Sequence, residues 1–380
     1  MISTLLGWCL ALSAIFQIGI LIFIYRHLLP GMKSLTISCP NEAEEKPKVS
    51  VVICAKNEAA NLSQYLPLVL NQQYFTHNIH DFEVIVVNDC SNDATAAVLN
   101  DFKKENLHLK VITLSPDLIR NFPGKKFALS QGVHAAKFPI IAAIDADCFP
   151  VSQNWLNHLS EPFINGKQIV AGYGAYVPEK GLLNLFIRYE TIQTFISLYS
   201  FAAAGFPYMA VGRNIAFTKE IFVSAENHPN WKKVPSGDDD LLVSLCGNRK
   251  NFSALTHPES YTYSRAPSNL KKYFLQKQRH VSTGKYYPMT IKILVGGFAF
   301  SIALYWLSLL LIGITSATSL PVLIGSSVPL FTYSILLTVN ARRLGTRSNL
   351  GYWLLFLFCW TIYNAVLAPY ILWKNKMRWK

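Results

Sequence analysis

Apolar residues in this chain gather into long uncharged runs at its two ends and into short ones in its middle. Leu5 to Leu29 carries almost no charge and closes around Tyr25-Arg26-His27. Ile291–Thr315 has one charge, Lys292 at its edge, and Ser319–Val339 and Tyr352–Trp373 have none. About 20 apolar residues suffice to cross a hydrocarbon core of about 30 Å, so each run is long enough. Three such segments in close succession argue against buried core helices. No basic residue precedes the first run, and Leu28-Leu29-Pro30-Gly31 does not resemble a cleavage site, so we read it as a retained anchor rather than a signal peptide.

The middle alternates. Strand-like runs at Val49–Ala55, Val84–Val87, Lys110–Leu114 and Ile140–Ile144 are separated by helix-like stretches at Ala59–Leu70, Ala94–Glu105 and Lys126–Ala136. That alternation predicts crossover units and a parallel sheet. The strands are continuously apolar, as expected when helices cover both faces. The pattern divides the chain into an anchor at 1–30, a polar linker at 31–48, a globular domain at 49–285 and a membrane region of about three spans at 286–380. Arg26 and Lys33, after the first span, place the middle of the chain on the cytoplasmic side. Four crossings would put Lys374, Lys376, Arg378 and Lys380 outside, against that rule, which leaves open a re-entrant or interfacial segment.

Composition narrows the partners. Of 380 residues, 51% are hydrophobic and the formal net charge is +13, which suits an anionic leaflet and an anionic substrate. There is no basic stripe interleaved with aromatics and no zinc-finger or helix-turn-helix pattern, so nucleic acid is not the expected partner. The seven cysteines are an odd, scattered set, which argues for reduced thiols and against a zinc site.

Candidate chemistry sits at the strand ends, where open α/β sheets bind ligands. Ile140–Ile144 runs into Asp145-Ala146-Asp147, two carboxylates on one face of an extended chain. As hard oxygen ligands they suit Mg²⁺ or Mn²⁺ shared with a diphosphate, and a solvated acid pair is the plain alternative. The first strand ends at Asn57-Glu58, the second at Asn88-Asp89-Cys90-Ser91-Asn92-Asp93, and a later helix starts at Pro123-Gly124-Lys125-Lys126. Local roles compete at each: Glu58 as a first-turn acid, Asp89 to Asp93 as turn and cap residues, Lys125-Lys126 as a solvated pair. No glycine-rich dinucleotide or P-loop motif is present.

Further on, Leu182–Phe206 is an aromatic-rich helix expected either at a membrane interface or against the sheet. Gly212 marks either a close approach of backbone to a sugar or an ordinary turn. Asp238-Asp239-Asp240 is a run of mutually repelling acids, which suits a general base of raised pKa or a helix cap. Gln276 and Arg279 share a helix face just before the first C-terminal span, where they reach either a diphosphate or lipid headgroups.

Taken together, these segments resemble the family-2 glycosyltransferases, the inverting, membrane-embedded kind related to polysaccharide synthases and ceramide glucosyltransferases. The resemblance covers residues 49 to about 285. It rests on Val-Ser-Val-Val-Ile-Cys-Ala-Lys-Asn57-Glu58, Asn88-Asp89-Cys-Ser-Asn-Asp93, Gly124-Lys125-Lys126-Phe-Ala-Leu, Asp145-Ala-Asp147, Gly237-Asp238-Asp239 and Gln276-x-x-Arg279-His280. Asn88 stands where the family has aspartate, and His280 where it has tryptophan. The resemblance implies a Rossmann-like nucleotide-sugar domain of GT-A type with a mostly parallel sheet, flanked by transmembrane helices. It also implies a hexosyltransferase of cell-envelope glycan synthesis, in the inner membrane with its catalytic domain cytoplasmic.

The expected reaction is transfer, with inversion, from a nucleoside diphosphate sugar, expected to be UDP-linked, to a lipid-linked or polysaccharide acceptor. Asp239 is implied as base, with Asp238 beside it. The implied donor-binding set is Asn57, Glu58, Asp89, Lys125, Asp145, Gln276 and Arg279, with Asp145 and Asp147 holding Mg²⁺ or Mn²⁺. Two rivals are a membrane nucleotidyl- or phosphoglycosyltransferase and a membrane protein with a nucleotide-sensing domain and no transferase activity. The first has no use for the acids at 238–240, and the spans lack the central charges that a translocation path often needs.

Overall fold

The computed structural model describes residues 2–30, 32, 46–76, 79–122, 124–233, 237–315 and 320–372. Most of the linker, Pro123, Ser236, the gap at 316–319 and the basic tail from Lys374 lie outside the described residues.

Helix α1 (Ile2–Phe23) ends six residues before the apolar run does, in a 3-10 turn at Tyr25–Leu28. The turn forms because Tyr25 folds inward, its ring 5.7 Å from that of Phe298 and 5.0 Å from that of Tyr333. Next come β1 (Val49–Ala55), α2 (Ala59–Leu70), a short ladder of β2 (Phe75–Thr76) with β3 (Ile79–His80), β4 (Phe82–Asp89), α3 (Thr95–Glu105), β5 (Leu109–Leu114), α4 (Lys125–Ala135) and β6 (Ile140–Ala143). These elements match the alternation read from the sequence. β4 extends two residues beyond the predicted run at each end, because Phe82 and Asn88 pair in register with Val49 and Ala55.

The second half adds β7 (Cys148–Pro150), α5 (Trp155–Ile164), β8 (Ile169–Ala171), β9 (Gly174–Tyr176), α6 (Leu182–Ala203), β10 (Ile215–Thr218), α7 (Lys219–Glu226), α8 (Asp240–Cys246), β11 (Phe252–Ala254), β12 (Thr262–Ser264) and α9 (Leu270–Val281). One seven-stranded sheet runs β11-β8-β10-β6-β1-β4-β5, and a smaller one runs β7-β12-β9. In the large sheet every pairing is parallel except the two made by β10. All seven residues of β1 are buried, so the centre of the sheet is covered on both faces. Each valine or isoleucine so placed contributes about 1.5–3 kcal/mol relative to exposure. Helix α4 approaches β1 closely because it carries Gly132, where a Cβ would come within 2.5 Å of Val52 Cγ1.

The membrane region comprises α10 (Met289–Ile291), a π turn at Lys292–Gly296, α11 (Gly297–Thr315), α12 (Leu320–Arg343) and α13 (Leu350–Leu372). Among the described residues four helices are long and apolar enough to cross a membrane: Thr4–Phe23, Met289–Ile314, Leu320–Arg343 and Leu350–Tyr370. Helix α1 packs along α11 and α12. The aromatic-rich α6 joins the two halves, touching β9 and β11 on one side and α12 and α13 on the other. It is therefore buried mortar between sheet and apolar helices, and its Gln193 donates to the Tyr333 hydroxyl at 3.3 Å. Helix α13 runs beside α6 and α9 along most of its length, through Trp353 against Tyr189 (4.4 Å), Tyr363 against Phe186 (5.7 Å) and Tyr370 against Phe274 (5.7 Å).

Candidate active site

The strand ends converge around the last turn of β1. Burial, and then the charges of Asp238, Asp145 and Asp89, push the Cys54 thiol up, with Lys125 pulling the other way. Residues from four elements thus surround one point. At its centre, Lys125 Nζ donates to Asp145 Oδ1 at 2.5 Å and lies 3.1 Å from Asp238 Oδ2. Enclosure alone would lower the Lys125 pKa, but the two carboxylates hold it well above its usual value.

The three adjacent aspartates do three different things. Asp238 faces Lys125, which overcomes the effect of burial and keeps its pKa below the usual range. Asp239 caps α8, its Oδ1 accepting from Asp240 N at 2.8 Å. Its Oδ2 accepts from Gly212 N at 2.5 Å. Burial, followed by the neighbouring charge of Asp238, pushes the Asp239 pKa up to about 6. Asp240 turns away into the protein and accepts from Thr283 Oγ1 at 3.0 Å. Gly212 lets the backbone come close here: a Cβ would stand 3.1 Å from Asp239 Oδ2, so the carboxylate would have to shift by a few tenths of an ångström. The close approach anticipated at this glycine is made to the aspartate.

Lys125 and Lys126 separate completely. Lys126 is fully buried, donates to the Trp231 carbonyl at 3.0 Å and lies 4.6 Å from that ring. Burial lowers its pKa to about 8. Neither lysine belongs to a solvated loop pair.

Two loops close another side. Asn57 adopts φ +57° after β1, and its Oδ1 accepts from Asn92 N at 2.9 Å. Glu58 is buried; its backbone N–H donates to Thr95 Oγ1 at 3.0 Å and its Oε2 accepts from Asn61 Nδ2 at 2.5 Å. Asp89 is wholly buried and accepts two hydrogen bonds from Arg120, at 2.5 and 3.1 Å. Asp93 is a cap: its Oδ1 accepts from Thr95 N at 3.0 Å and its Oδ2 from Ala59 N at 3.2 Å, tying the starts of α3 and α2 together.

The opposite wall comes from α9. Gln276 Nε2 donates to the Tyr176 hydroxyl at 3.2 Å. The Tyr176 ring lies 4.0 Å beneath the Arg213 guanidinium, which also donates to Ser264 Oγ at 3.2 Å. Burial would lower the Arg213 pKa, but Tyr176, Cys148, Asp145 and Asp147 raise it, so a cation stands beside the paired acids. Arg279 follows Gln276 by one turn. The exposed His280 has its pKa lowered by the surrounding protein and by the charges of Lys277, Arg279 and Arg213, so its imidazole is neutral. The buried Lys277–Glu190 pair, 2.5 Å apart, pins α9 to α6.

The sequence reading overlooked Arg120, Tyr176 and Arg213. Arg120 sits in a polar loop without a motif, and Tyr176 ends a three-residue strand. Arg213 directly follows Gly212, and a cation next to a glycine in a chain with few buried charges was a usable signal.

Asp145, Asp147 and Cys148 offer ligand atoms within 4.8 Å of one another. Burial, then the charge of Asp147, pushes the Cys148 thiol well up, and its Sγ donates to Asp147 Oδ1 at 3.4 Å. The sulfur is a protonated donor, which leaves two hard carboxylates as the ligand set. That set fits a Mg²⁺- or Mn²⁺-sized ion sharing its shell with phosphate oxygens.

Comparison with known proteins gives a consistent picture. The model of the family described as glycosyl transferase family 2 matches residues 50–220, and that of glycosyl transferase family group 2 matches residues 140–369. The chain is 27% identical to "Probable glycosyltransferase YdaM" of Bacillus subtilis (strain 168) over 252 residues, 64% of this chain and 56% of that protein. It is 33% identical to the beta-monoglucosyldiacylglycerol synthase of Trichormus variabilis over 113 residues, 30% of this chain and 23% of that one. The chain thus spans 56% or less of these curated relatives. The solved mannosyltransferase PcManGT from Pyrobaculum calidifontis, in complex with GDP-Man and Mn²⁺, superimposes with a TM-score of 0.59 at 18% identity, covering 94% of this chain and 99% of that one. It shares this GT-A fold.

Proposed function

The chain belongs to glycosyl transferase family 2, and from that premise we propose that it is an inverting, membrane-bound hexosyltransferase using a nucleoside diphosphate sugar, with UDP as the carrier. The observation that carries this reading is the bridge of Lys125 between Asp145 and Asp238, with Asp239 poised beside it on the Gly212 N–H. An acid with a pKa near 6 is ionised at neutral pH yet basic enough to accept a proton. Asp239 Oδ2 takes the proton of an acceptor hydroxyl as the oxygen attacks the anomeric carbon opposite the departing diphosphate, which inverts that centre. The Gly212 N–H and the cap to Asp240 hold the carboxylate in one orientation.

Lys125, Arg213 and Arg279 place positive charge where the leaving diphosphate gains negative charge. Asn57, Glu58 and Asp89 take the base and ribose, with the two hydrogen bonds from Arg120 orienting Asp89. Asp145 and Asp147 would hold a divalent ion, which supplies Lewis-acid neutralisation of the diphosphate. Gln276 positions Tyr176 beneath Arg213. The acceptor is a lipid-linked or polysaccharide hydroxyl, and the enzyme sits in the inner membrane with its catalytic domain in the cytoplasm. The mannosyltransferase with GDP-Man and Mn²⁺ and the glucosyldiacylglycerol synthase support this assignment by their nature.

The test is release of nucleoside diphosphate from a panel of nucleotide sugars by detergent-solubilised protein, with Mg²⁺, Mn²⁺ or EDTA, beside Asp147→Ala and Asp239→Asn. Metal-dependent release from one donor, lost in both variants, is expected. Nucleotide binding without release from any donor would instead support a sensing domain.

A further inference from the structure

Beside the catalytic crevice is a groove that the chemistry above does not use. It has a volume of about 540 Å³, within the ~300–1,000 Å³ typical of small-molecule sites, and its lining is almost wholly apolar. Phe186 of α6, Leu270, Tyr273 and Phe274 of α9, and Ile362 and Tyr363 of α13 form its walls, with Cys359 among them and Lys271 at the edge. Tyr273 and Tyr363 stack at 5.8 Å along one side.

Three observations identify an occupant. First, the outer face of α13 bears Leu355, Phe358, Ile362 and Val366, all exposed, so the groove opens onto a surface suited to hydrocarbon. Second, Lys271 and Lys272 are exposed at the start of α9 and complement a negatively charged headgroup. Third, the groove wall is packed against the wall of the active site. Tyr273 packs in one cluster with Tyr176, whose hydroxyl meets Gln276 and whose ring lies beneath Arg213.

We propose that this groove holds the hydrocarbon chain of a membrane-resident, phosphate-bearing acceptor, with the phosphate against Lys271 and Lys272 and the headgroup's hydroxyl directed past Tyr176 toward Asp239. The inference rests on the transferase reading and narrows its acceptor to a lipid. Helix α9 then has two jobs: Tyr273 and Phe274 grip the chain while Gln276, one turn on, orders the donor side. The buried Lys277–Glu190 pair keeps the two in fixed relation.

The experiment uses the full chain in vesicles of phosphatidylethanolamine and phosphatidylglycerol containing a hexadecyl phosphate with a diazirine near the chain end. After irradiation, adducts are mapped by peptide mass, with hexyl to hexadecyl phosphates as competitors. Adducts are expected on the peptides carrying Tyr273, Phe274 and Tyr363, with competition strengthening by about fourfold per methylene while the chain fits. Cys359→Trp, which fills the groove, should cut these adducts by roughly tenfold or more, the equivalent of two lost methylenes. Its hydrolysis of the nucleotide sugar should match the parent. If that variant does not fold, Ile362→Trp at the mouth makes the same test. Adducts spread evenly over Leu355, Phe358 and Val366, insensitive to competitor length and to both substitutions, would overturn the proposal. Groove adducts in a chain that releases nucleotide from no donor would uphold the groove and refute the transferase reading.

Discussion

Replacing Asp239 by Asn removes the base and one of its two backbone hydrogen bonds. Asp239 Oδ1 caps α8 at 2.8 Å and Oδ2 accepts from Gly212 N at 2.5 Å. Asparagine keeps one amide oxygen to cap α8, but its Nδ2 is left facing the Gly212 N–H that the carboxylate accepted, which costs about 1–3 kcal/mol. What asparagine cannot do is take a proton. Losing a positioned base costs about 10²–10⁴-fold, or roughly 3–5 kcal/mol of barrier. We therefore expect kcat to fall by that factor with donor KM little changed, and a separate stability loss of about 1–3 kcal/mol in denaturant unfolding from the orphaned Gly212 N–H.

The pH profile gives a second readout. The acid's pKa of about 6 is raised from its ordinary value, so the ionised, working form is lost as pH falls through 6. In the parent, kcat/KM should be level above pH 7 and drop about tenfold per unit below 6. The assay is continuous detection of released nucleoside diphosphate between pH 5 and 8. The reasoning is refuted if Asp239→Asn keeps its rate within about tenfold of the parent, or if its residual rate shows the same acidic limb.

The neighbouring lysines should behave oppositely. Lys125→Met leaves Asp145 and Asp238 facing each other without their cation and should lower kcat/KM by about 10²-fold or more, read by steady-state kinetics, while the protein still folds. Lys126→Met orphans the buried Trp231 carbonyl and should cost about 1–3 kcal/mol in denaturant unfolding with kcat retained. Because the folded-state pKa of Lys126 is lowered to about 8, the unfolded chain binds more protons above that pH. The parent should thus gain stability between about pH 8 and 10, and Lys126→Met should not. Gly212→Ala forces a Cβ to 3.1 Å from Asp239 Oδ2 and should depress kcat by about tenfold or more, with donor binding by calorimetry kept. Arg213→Lys loses the planar stack on Tyr176 and should raise donor KM by about tenfold while leaving the pH profile unmoved.

Much was legible without coordinates because the relevant physics is local. Short continuous runs of valine and isoleucine bounded by polar turn residues read as strands covered on both faces, and β1 and α2 appear with the predicted bounds. Acids, amides and a lysine placed directly after such strands must lie at the edge where an open sheet binds ligands. The end of α1 was misjudged because hydropathy does not register a tyrosine folding back on two aromatic rings.

The pattern of residues alone determined the four parallel strands β1, β4, β5 and β6, the apolar helices and the polar groups at those strand ends, whereas β8, β10 and β11 completed the sheet without a signal that was read. Only the tertiary structure decided how neighbours in sequence divide their work. Asp238, Asp239 and Asp240 are adjacent, yet one meets Lys125, one meets Gly212 and one meets Thr283. Lys125 joins the crevice while Lys126 is sealed against Trp231. Arg120, Tyr176 and Arg213 enter the site only through partners far away in the chain. The reason is geometric: turning from one residue to the next points side chains in different directions. What each then meets depends on which distant segment the fold has brought there, and no local pattern encodes that.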